Sequence, residues 1–537
     1  MDSLTGSQII GQQLSDHGDE EYRATSAFSG EPISPFFRNA SEGEVDRAVC
    51  LARDASGFWA TASPDIKSKF LRGLAQRVNA SRETLLNRAS LETGYPDRRL
   101  TMELDRSLFQ LGVFANLVEE GSWVDAIIDQ RKADQAGPPQ PDLRRMLRPV
   151  GPVGVFGASN FPFAISVIGN DVVSAWAAGC PVVVKGHPGH PGTCELLGRC
   201  VQDVIRSQNL PEGIFSLVQG TQNRVGEALV QHPSIRAIGF TGSLRGGKSL
   251  WALTQKRTEP IPFFAELGSL NPTLAFPATF RRNTSDFTKN LLASLTMGNG
   301  QMCTRPGFVF YVECRETEQW TQELLSAASL APQQPLLNAS VASQFAEATE
   351  QYRVQLDARQ IFPLQTKGEP KSEFDASNSS LHLYQVTAAE VLSCGANWTE
   401  AFGPVCILVG CKDLEEMKAI TNTLPGGLTL SLHVDPAEQT LAAQWLSDWT
   451  AKFGRIVWND FPTGVPIGNA TQHGGPYPAS FDGQGTSIGT RAIERFARPI
   501  CYQNFPETLL PPELQSDNPR HIWRQVDGRL TQDKLPH

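Results

Sequence analysis

Among its ten cysteines and nine histidines the 537-residue chain has no CxxC pair and no grouping at zinc-site spacing. That excludes a structural zinc module. In a chain of this length it predicts reduced thiols in a cytosol-like compartment, not a disulfide framework. Basic charge is not in excess. The net charge is -9, so neither nucleic acid nor an anionic membrane surface is expected as a partner. The longest apolar region, Phe161 to Val184, is interrupted by Asn170 and Asp171; it reads as a buried helix and a strand, not a membrane span. Met1 to Tyr22 is polar and acidic, without the apolar core of a signal peptide or the arginine-rich look of a transit peptide. A cytoplasmic protein is expected. There is no internal repeat, no low-complexity tract and no GxGxxG fingerprint after a strand.

What is present is an ordinary globular balance, 40% hydrophobic and 19% charged, in a chain long enough for two or three domains. From Arg148 to Leu274 strands and helices alternate. Val153 to Phe156, Pro181 to Lys185, Ile214 to Val218 and Ala237 to Phe240 read as strands. Phe163 to Ala178, Thr193 to Ser207 and Val225 to Gln231 read as the helices between them. This rhythm predicts a doubly wound parallel sheet that binds its ligand at the carboxyl ends of the strands. A second alternating stretch runs from Asn271 to Phe461, with Phe308 to Val312 and Val405 to Val409 as its clearest strands. Ser379 to Gln385 is less regular, and Ser340 to Leu356 is helical. Arg144 to Pro149 and Thr486 to Phe505 look like strands outside both cores, suited to pairing with another subunit. The first hundred residues read as largely helical, the first 20 and the tail after Pro506 as only partly ordered, and Gly137 to Pro141 as a hinge.

One segment carries the chemistry. Gly298-Asn299-Gly300-Gln301-Met302-Cys303-Thr304 presents a lone cysteine after a glycine-rich turn, and Glu266 stands 37 residues earlier in Phe264-Ala265-Glu266-Leu267-Gly268. A thiol is mostly protonated near neutral pH, so a cysteine nucleophile needs a base close by. Glu266 fits that role, with a structural ion pair as the alternative. Asn160 follows the first strand and is a candidate donor to a developing oxyanion, or equally an Asx turn or helix cap. Phe240-Thr241-Gly242-Ser243 with Gly247 is a strand, a turn and a helix start whose free N–H groups suit a phosphate. Lys185, ending the second strand, could meet a ribose hydroxyl or a 2′-phosphate, or be simple surface charge. Glu400, in Glu400-Ala401-Phe402-Gly403-Pro404, could hold ribose hydroxyls or lie solvated in a loop. His187, His190 and His473 stand in glycine-proline contexts without third and fourth ligands at metal spacing, so no metal site is expected.

Asn160, the Phe-Thr-Gly-Ser turn, the Glu-Leu-Gly run, Gly-Gln-x-Cys and Glu-x-Phe-Gly-Pro together resemble the aldehyde dehydrogenase superfamily, over roughly residues 25 to 505. The resemblance implies a cofactor-binding domain (1–136 and 156–265), a catalytic domain (266–461), a bridging arm (137–155 and 474–505) and a tail (506–537). It implies Cys303 as nucleophile, Glu266 as general base, and Asn160 with the Cys303 N–H as oxyanion hole. Lys185, Glu400 and Phe402 match cofactor positions, as do Gly242, Ser243 and Gly247. The runs Lys185 to Thr193, Phe240 to Gly247, Gly300 to Thr304 and His473 to Ala479 look like the 2-oxoglutarate semialdehyde dehydrogenase branch, to which a fatty-aldehyde enzyme that prefers NADP also belongs. Where many NAD-preferring relatives have a glutamate this chain has Pro188. That leaves NADP open beside NAD, with Arg224 as a partner for a 2′-phosphate. Met302, Gly186 and Arg305 depart from the commonest residues, and Met302 bears on the aldehyde pocket. The resemblance further implies a small-molecule aldehyde as partner and a homodimer or homotetramer. Glu266 argues against an enzyme that resolves its thioester with CoA, and all three chemical residues argue against an idle structural relative.

Overall fold

The computed structural model describes residues 4–132, 138–282, 284–331, 334–363 and 378–535. Two seven-stranded sheets organise it. In the first, five parallel strands lie in the order Phe263–Glu266, Ala237–Thr241, Val153–Phe156, Val182–Lys185, Phe215–Val218. Parallel strands are covered on both faces, so they are apolar throughout. Val182 and Val184 point into one buried cluster, with Trp59, Phe70 and Trp176; Val183 points into the other, with Val45, Val49 and Leu229. The chain runs from the Val153 strand to one side of the sheet and then returns to the other. The winding therefore reverses between Val153–Phe156 and Ala237–Thr241, where such sheets open a crevice at their carboxyl ends.

The second sheet takes the order Arg359–Phe362, His382–Thr387, Val405–Cys411, Phe308–Val312, Thr273–Ala275, Gly427–His433, Phe453–Trp458. All its pairs are parallel except the first. Of the stretch expected to be less regular, Ser379 to Gln385, the part from His382 on belongs to the regular six-residue strand His382–Thr387, while Ser379 ends a separate two-residue strand. A third, five-stranded sheet joins Ala497–Gln503, Leu143–Pro149, Ile127–Asp129, Arg524–Val526 and Arg529–Thr531.

Several sequence boundaries are corrected. Residues 153–155, expected in the arm, lie in the central strand of the first sheet. Ile127–Asp129, expected in the cofactor domain, pairs with the arm strand Leu143–Pro149. Of Thr486 to Phe505 only Ala497–Gln503 is a strand; residues before it fold into the site. Near the start of the described residues Gln8–Ile10 is buried and pairs antiparallel with Phe215–Val218, and three further strands follow, Gln13–Ser15, Glu21–Thr25 and Pro32–Arg38. The tail docks through buried Ile522 and the strand Arg524–Val526, while Trp523 stays exposed. Of the expected hinge, Gly137 lies outside the described residues, and Gln140 bridges to Lys132. The helix expected from Phe163 begins only at Asn170. The buried Glu103 carboxylate accepts the N–H groups of Phe163 and Ala164, at 2.8 and 2.9 Å, and so replaces a helical turn there. Among the described residues no helix is long and apolar enough to cross a membrane.

Candidate active site

The site lies between the carboxyl ends of the first sheet and the amino ends of the second. Glu266 is the last residue of its strand, and Cys303 precedes the strand Phe308–Val312. The turn before Cys303 has positive φ at Gly298, Asn299 and Gly300. A Cβ at Gly300 would fall 2.4 Å from the Gly403 carbonyl, so only glycine lets this turn press against the Glu-x-Phe-Gly-Pro loop. Asn271 Nδ2 fixes the far side by donating to the Cys303 carbonyl at 2.7 Å.

The structure brings Cys303, Glu266 and Asn160 together and adds His473, whose role the sequence did not disclose. His473 Nε2 is 3.4 Å from Cys303 Sγ and 2.8 Å from Glu266 Oε1. Ser487 donates to the other carboxylate oxygen. Burial alone would raise the Glu266 carboxyl, but the His473 ring and these hydrogen bonds hold it down, to about 2. Burial and the Glu266 charge push the Cys303 thiol well up, so in the resting protein it keeps its proton. The proton must therefore be removed in place, and the ionised Glu266 carboxylate is the acceptor for it, since the His473 Nε2 proton is donated to Glu266 Oε1. The sequence set His473 aside for want of further ligands. Folding supplies them, since donor atoms of Glu266, Cys303 and His473 all lie within 4.8 Å of one another. The 2.8 Å nitrogen–oxygen separation is that of a hydrogen bond, and the cluster reads as a proton relay.

Asn160 is buried, and its Nδ2 donates to the Gln301 carbonyl at 3.0 Å, which leaves it one further proton. Its own carbonyl accepts from Arg99 at 2.8 Å, and Arg99 pairs with Glu103. Arg99 and Glu103 thus fix both ends of the 160–164 loop, a support across some 60 residues of chain that local pattern does not reveal. Among the described residues the Cys303 N–H has no acceptor.

The strand ends of the first sheet fit a dinucleotide. Among the described residues Lys185 Nζ donates only to the Gly220 carbonyl, at 2.5 Å, and burial pulls its ammonium down to about 8. The neighbouring Gln219 is fully buried, and neither atom of its side-chain amide has a partner. Ser243 caps the helix Leu244–Gln255 by accepting from the Gly246 N–H. A Cβ on Gly242 would fall 2.9 Å from the Phe240 ring, and one on Gly247 would fall 2.6 Å from Leu267. The phosphate-type turn therefore packs directly over the residue after Glu266. Glu400 sits against Gly268, where an added Cβ would come within 1.9 Å of its carboxylate; burial raises it to about 7. Phe402 packs against the first sheet's core. The Arg224 guanidinium pairs with Asp19 at the surface, and among the described residues its Nε has no partner.

The match to known proteins decides the family. The aldehyde dehydrogenase family model matches residues 14–498. The chain belongs to the aldehyde dehydrogenase family. It is an oxidoreductase that acts on aldehydes with NAD or NADP. It is 38% identical to "Alpha-ketoglutaric semialdehyde dehydrogenase 2" of Azospirillum brasilense over 98% of this chain and 99% of that one. It is 37% identical to "Alpha-ketoglutaric semialdehyde dehydrogenase" of Acinetobacter baylyi over 99% and 100%. Among solved structures, its fold is similar to that of a betaine aldehyde dehydrogenase from Staphylococcus aureus (TM-score 0.78, 18% identity, 94% of this chain and 96% of that one).

Proposed function

We propose that this aldehyde dehydrogenase oxidises 2-oxoglutarate semialdehyde to 2-oxoglutarate through a thioester on Cys303. The substrate reading is supported by the two relatives similar over nearly the full length of both chains. The chemistry is carried by one observation: His473 Nε2 stands in contact with both Cys303 Sγ and Glu266 Oε1.

As the aldehyde carbon approaches, the Cys303 proton passes to the Glu266 carboxylate and the sulfur attacks. Asn160 Nδ2 and the Cys303 N–H donate to the oxyanion of the thiohemiacetal. A bound NAD or NADP supplies the hydride acceptor that turns this adduct into a thioester. Lys185, Gln219, the Gly242–Gly247 turn, Glu400 and Phe402 would hold that cofactor. Once the proton taken from Cys303 has left to solvent, Glu266, held by His473 and Ser487, draws a proton from water, whose oxygen attacks the thioester, releasing the acid and the Cys303 sulfur. The ten free cysteines support a reducing cytoplasm as the compartment. The outer edge of Ala497–Gln503, unpaired among the described residues, supports a homodimer or homotetramer built through the arm sheet.

The test is kcat/KM on 2-oxoglutarate semialdehyde and on pentanal, each with NAD and with NADP. A clear preference for the oxo-acid semialdehyde is expected. A preference for pentanal would remove that substrate and leave the catalytic set standing.

A further inference from the structure

A semialdehyde of an oxo acid brings a carboxylate into the pocket, and the structure sorts the arginines that could meet it. Arg305 is buried and donates to the carbonyls of Pro306, Ala401 and Val405. Arg148 lies in an arm strand opposite Arg498. Arg106 is placed differently. It sits on the helix Asp97–Glu120, three residues after the Glu103 that holds the Asn160 loop. A second guanidinium, Arg455, lies at the amino end of the strand Phe453–Trp458, the end that faces the site.

These two side chains converge on one loop. Arg106 Nη1 donates to the Val465 carbonyl at 2.7 Å, and Arg455 donates to the Pro462 carbonyl. Among the described residues neither reaches a carboxylate at ion-pair distance, and Arg455 Nε is buried without any partner. Both lie within electrostatic reach of Cys303. The other charged groups in electrostatic reach are Glu103 and Glu266 for Arg106, and Asp460 for Arg455. Both residues are half-buried, and the partial loss of water lowers both guanidiniums. A substrate carboxylate would satisfy the unused donors and offset that cost, and guanidinium is the donor geometry suited to it.

We propose that Arg106 and Arg455, anchored on one loop through the carbonyls of Val465 and Pro462, form the subsite that binds the carboxylate of the semialdehyde. This rests on the reading that the substrate is an oxo-acid semialdehyde.

The experiment compares the parent with Arg106→Gln and Arg455→Gln on 2-oxoglutarate semialdehyde and on pentanal. For each variant kcat/KM on the semialdehyde should fall on the order of 10- to 100-fold, chiefly through KM, while pentanal stays near the parent value. Arg106→Lys should recover part of the loss. Equal falls on both substrates would assign the arginines to packing or to Cys303 activation and overturn the subsite, as would no fall on the semialdehyde. The parent alone reports on the substrate reading, so a parent that prefers the semialdehyde beside variants that keep the preference sinks only the subsite. Should a variant fail to fold, protection of Cys303 in the parent against iodoacetamide decides. Pentanoate should protect at about one tenth of the concentration that 1-pentanol needs, a gap that salt should narrow; equal protection overturns the proposal.

Discussion

In the first sheet the carboxyl ends carry Lys185, Gln219 and Thr241, and in the second the corresponding ends carry Ala275, Val312 and His433. Both sheets are parallel at their centres and buried on both faces, so topology alone would open a ligand crevice in each. The side chains decide otherwise. In the first, Gln219 has an unpartnered amide and Lys185 meets a single carbonyl. In the second, His433 is wedged between Phe287 and Phe461, with ring centroids 4.7 and 4.5 Å away, and Trp320 packs behind Phe287 at 5.7 Å. One end is left polar and open to a ligand; the other is plugged with aromatic rings. The second sheet contributes instead through its amino ends, where Cys303 meets Glu266 from the first and has Glu400 and Arg455 within electrostatic reach. The same architecture can thus be a binding platform at one end or a lid for its neighbour at the other.

The sharpest way to break this comparison is to separate the two contributions. Cys303→Ala should reduce dehydrogenase and esterase turnover by about 10,000-fold or more. Cofactor affinity, measured by fluorescence titration, should stay at the parent value. Retained turnover would remove Cys303 as the nucleophile. A lost affinity would mean that the two sheets do not divide the work as described.

Next in size is the relay. Glu266→Gln should cost about 100- to 10,000-fold in steady-state rate, with an acyl-enzyme accumulating on Cys303 that intact-protein mass spectrometry detects. His473→Asn should cost less, and the double variant should be no slower than Glu266→Gln alone, since groups in one hydrogen-bonded unit are not additive. Additive losses would place His473 outside the relay. Smaller again is Lys185→Ala, expected to raise the cofactor KM about 10- to 100-fold with kcat near the parent's. A fall in kcat with KM unchanged would argue against a cofactor contact.

The first sheet was legible because its β-branched and apolar runs are short, and glycine breaks them off. Cys303, Glu266 and Asn160 could be singled out because each stands at a strand end or glycine turn with few bland explanations. His473 and Ser487 could not, since they reach Glu266 across more than 200 residues of chain and stand in a glycine- and proline-rich stretch without periodicity. The same stretch was expected in the arm because extended loops and strands look alike in composition. Arg224 shows the limit of spacing in another way: it suggested a phosphate partner but could not show that Asp19, in a segment expected to be only partly ordered, pairs with the guanidinium. Long-range pairing of charges is invisible to local pattern, and so is the order it confers on a chain start.

The smallest effect expected concerns the plug. Burial lowers His433 to about 4, against an unfolded value near 6.5, with Asp460 opposing only in part. Above pH 6.5 both states are neutral and nothing is lost. Between 6.5 and 4 the unfolded chain takes up a proton that the folded ring refuses, so stability falls as the pH drops, by about 3 kcal/mol in all. Glu266 behaves differently: its depressed value gives stability that is present above about 4.5 and lost as the pH falls toward 2. The two regions therefore titrate in separate windows. His187 and His382, also lowered by burial, act in the upper window in parent and variant alike, so a difference measurement cancels them. Urea-unfolding midpoints at pH 7, 5.5 and 4 should converge between His433→Asn and the parent as the pH falls, because the variant lacks one of the protons. Parallel lines across the three pH values would show that His433 is not held neutral, and that the second sheet's ends are more open to water than the aromatic packing around them implies.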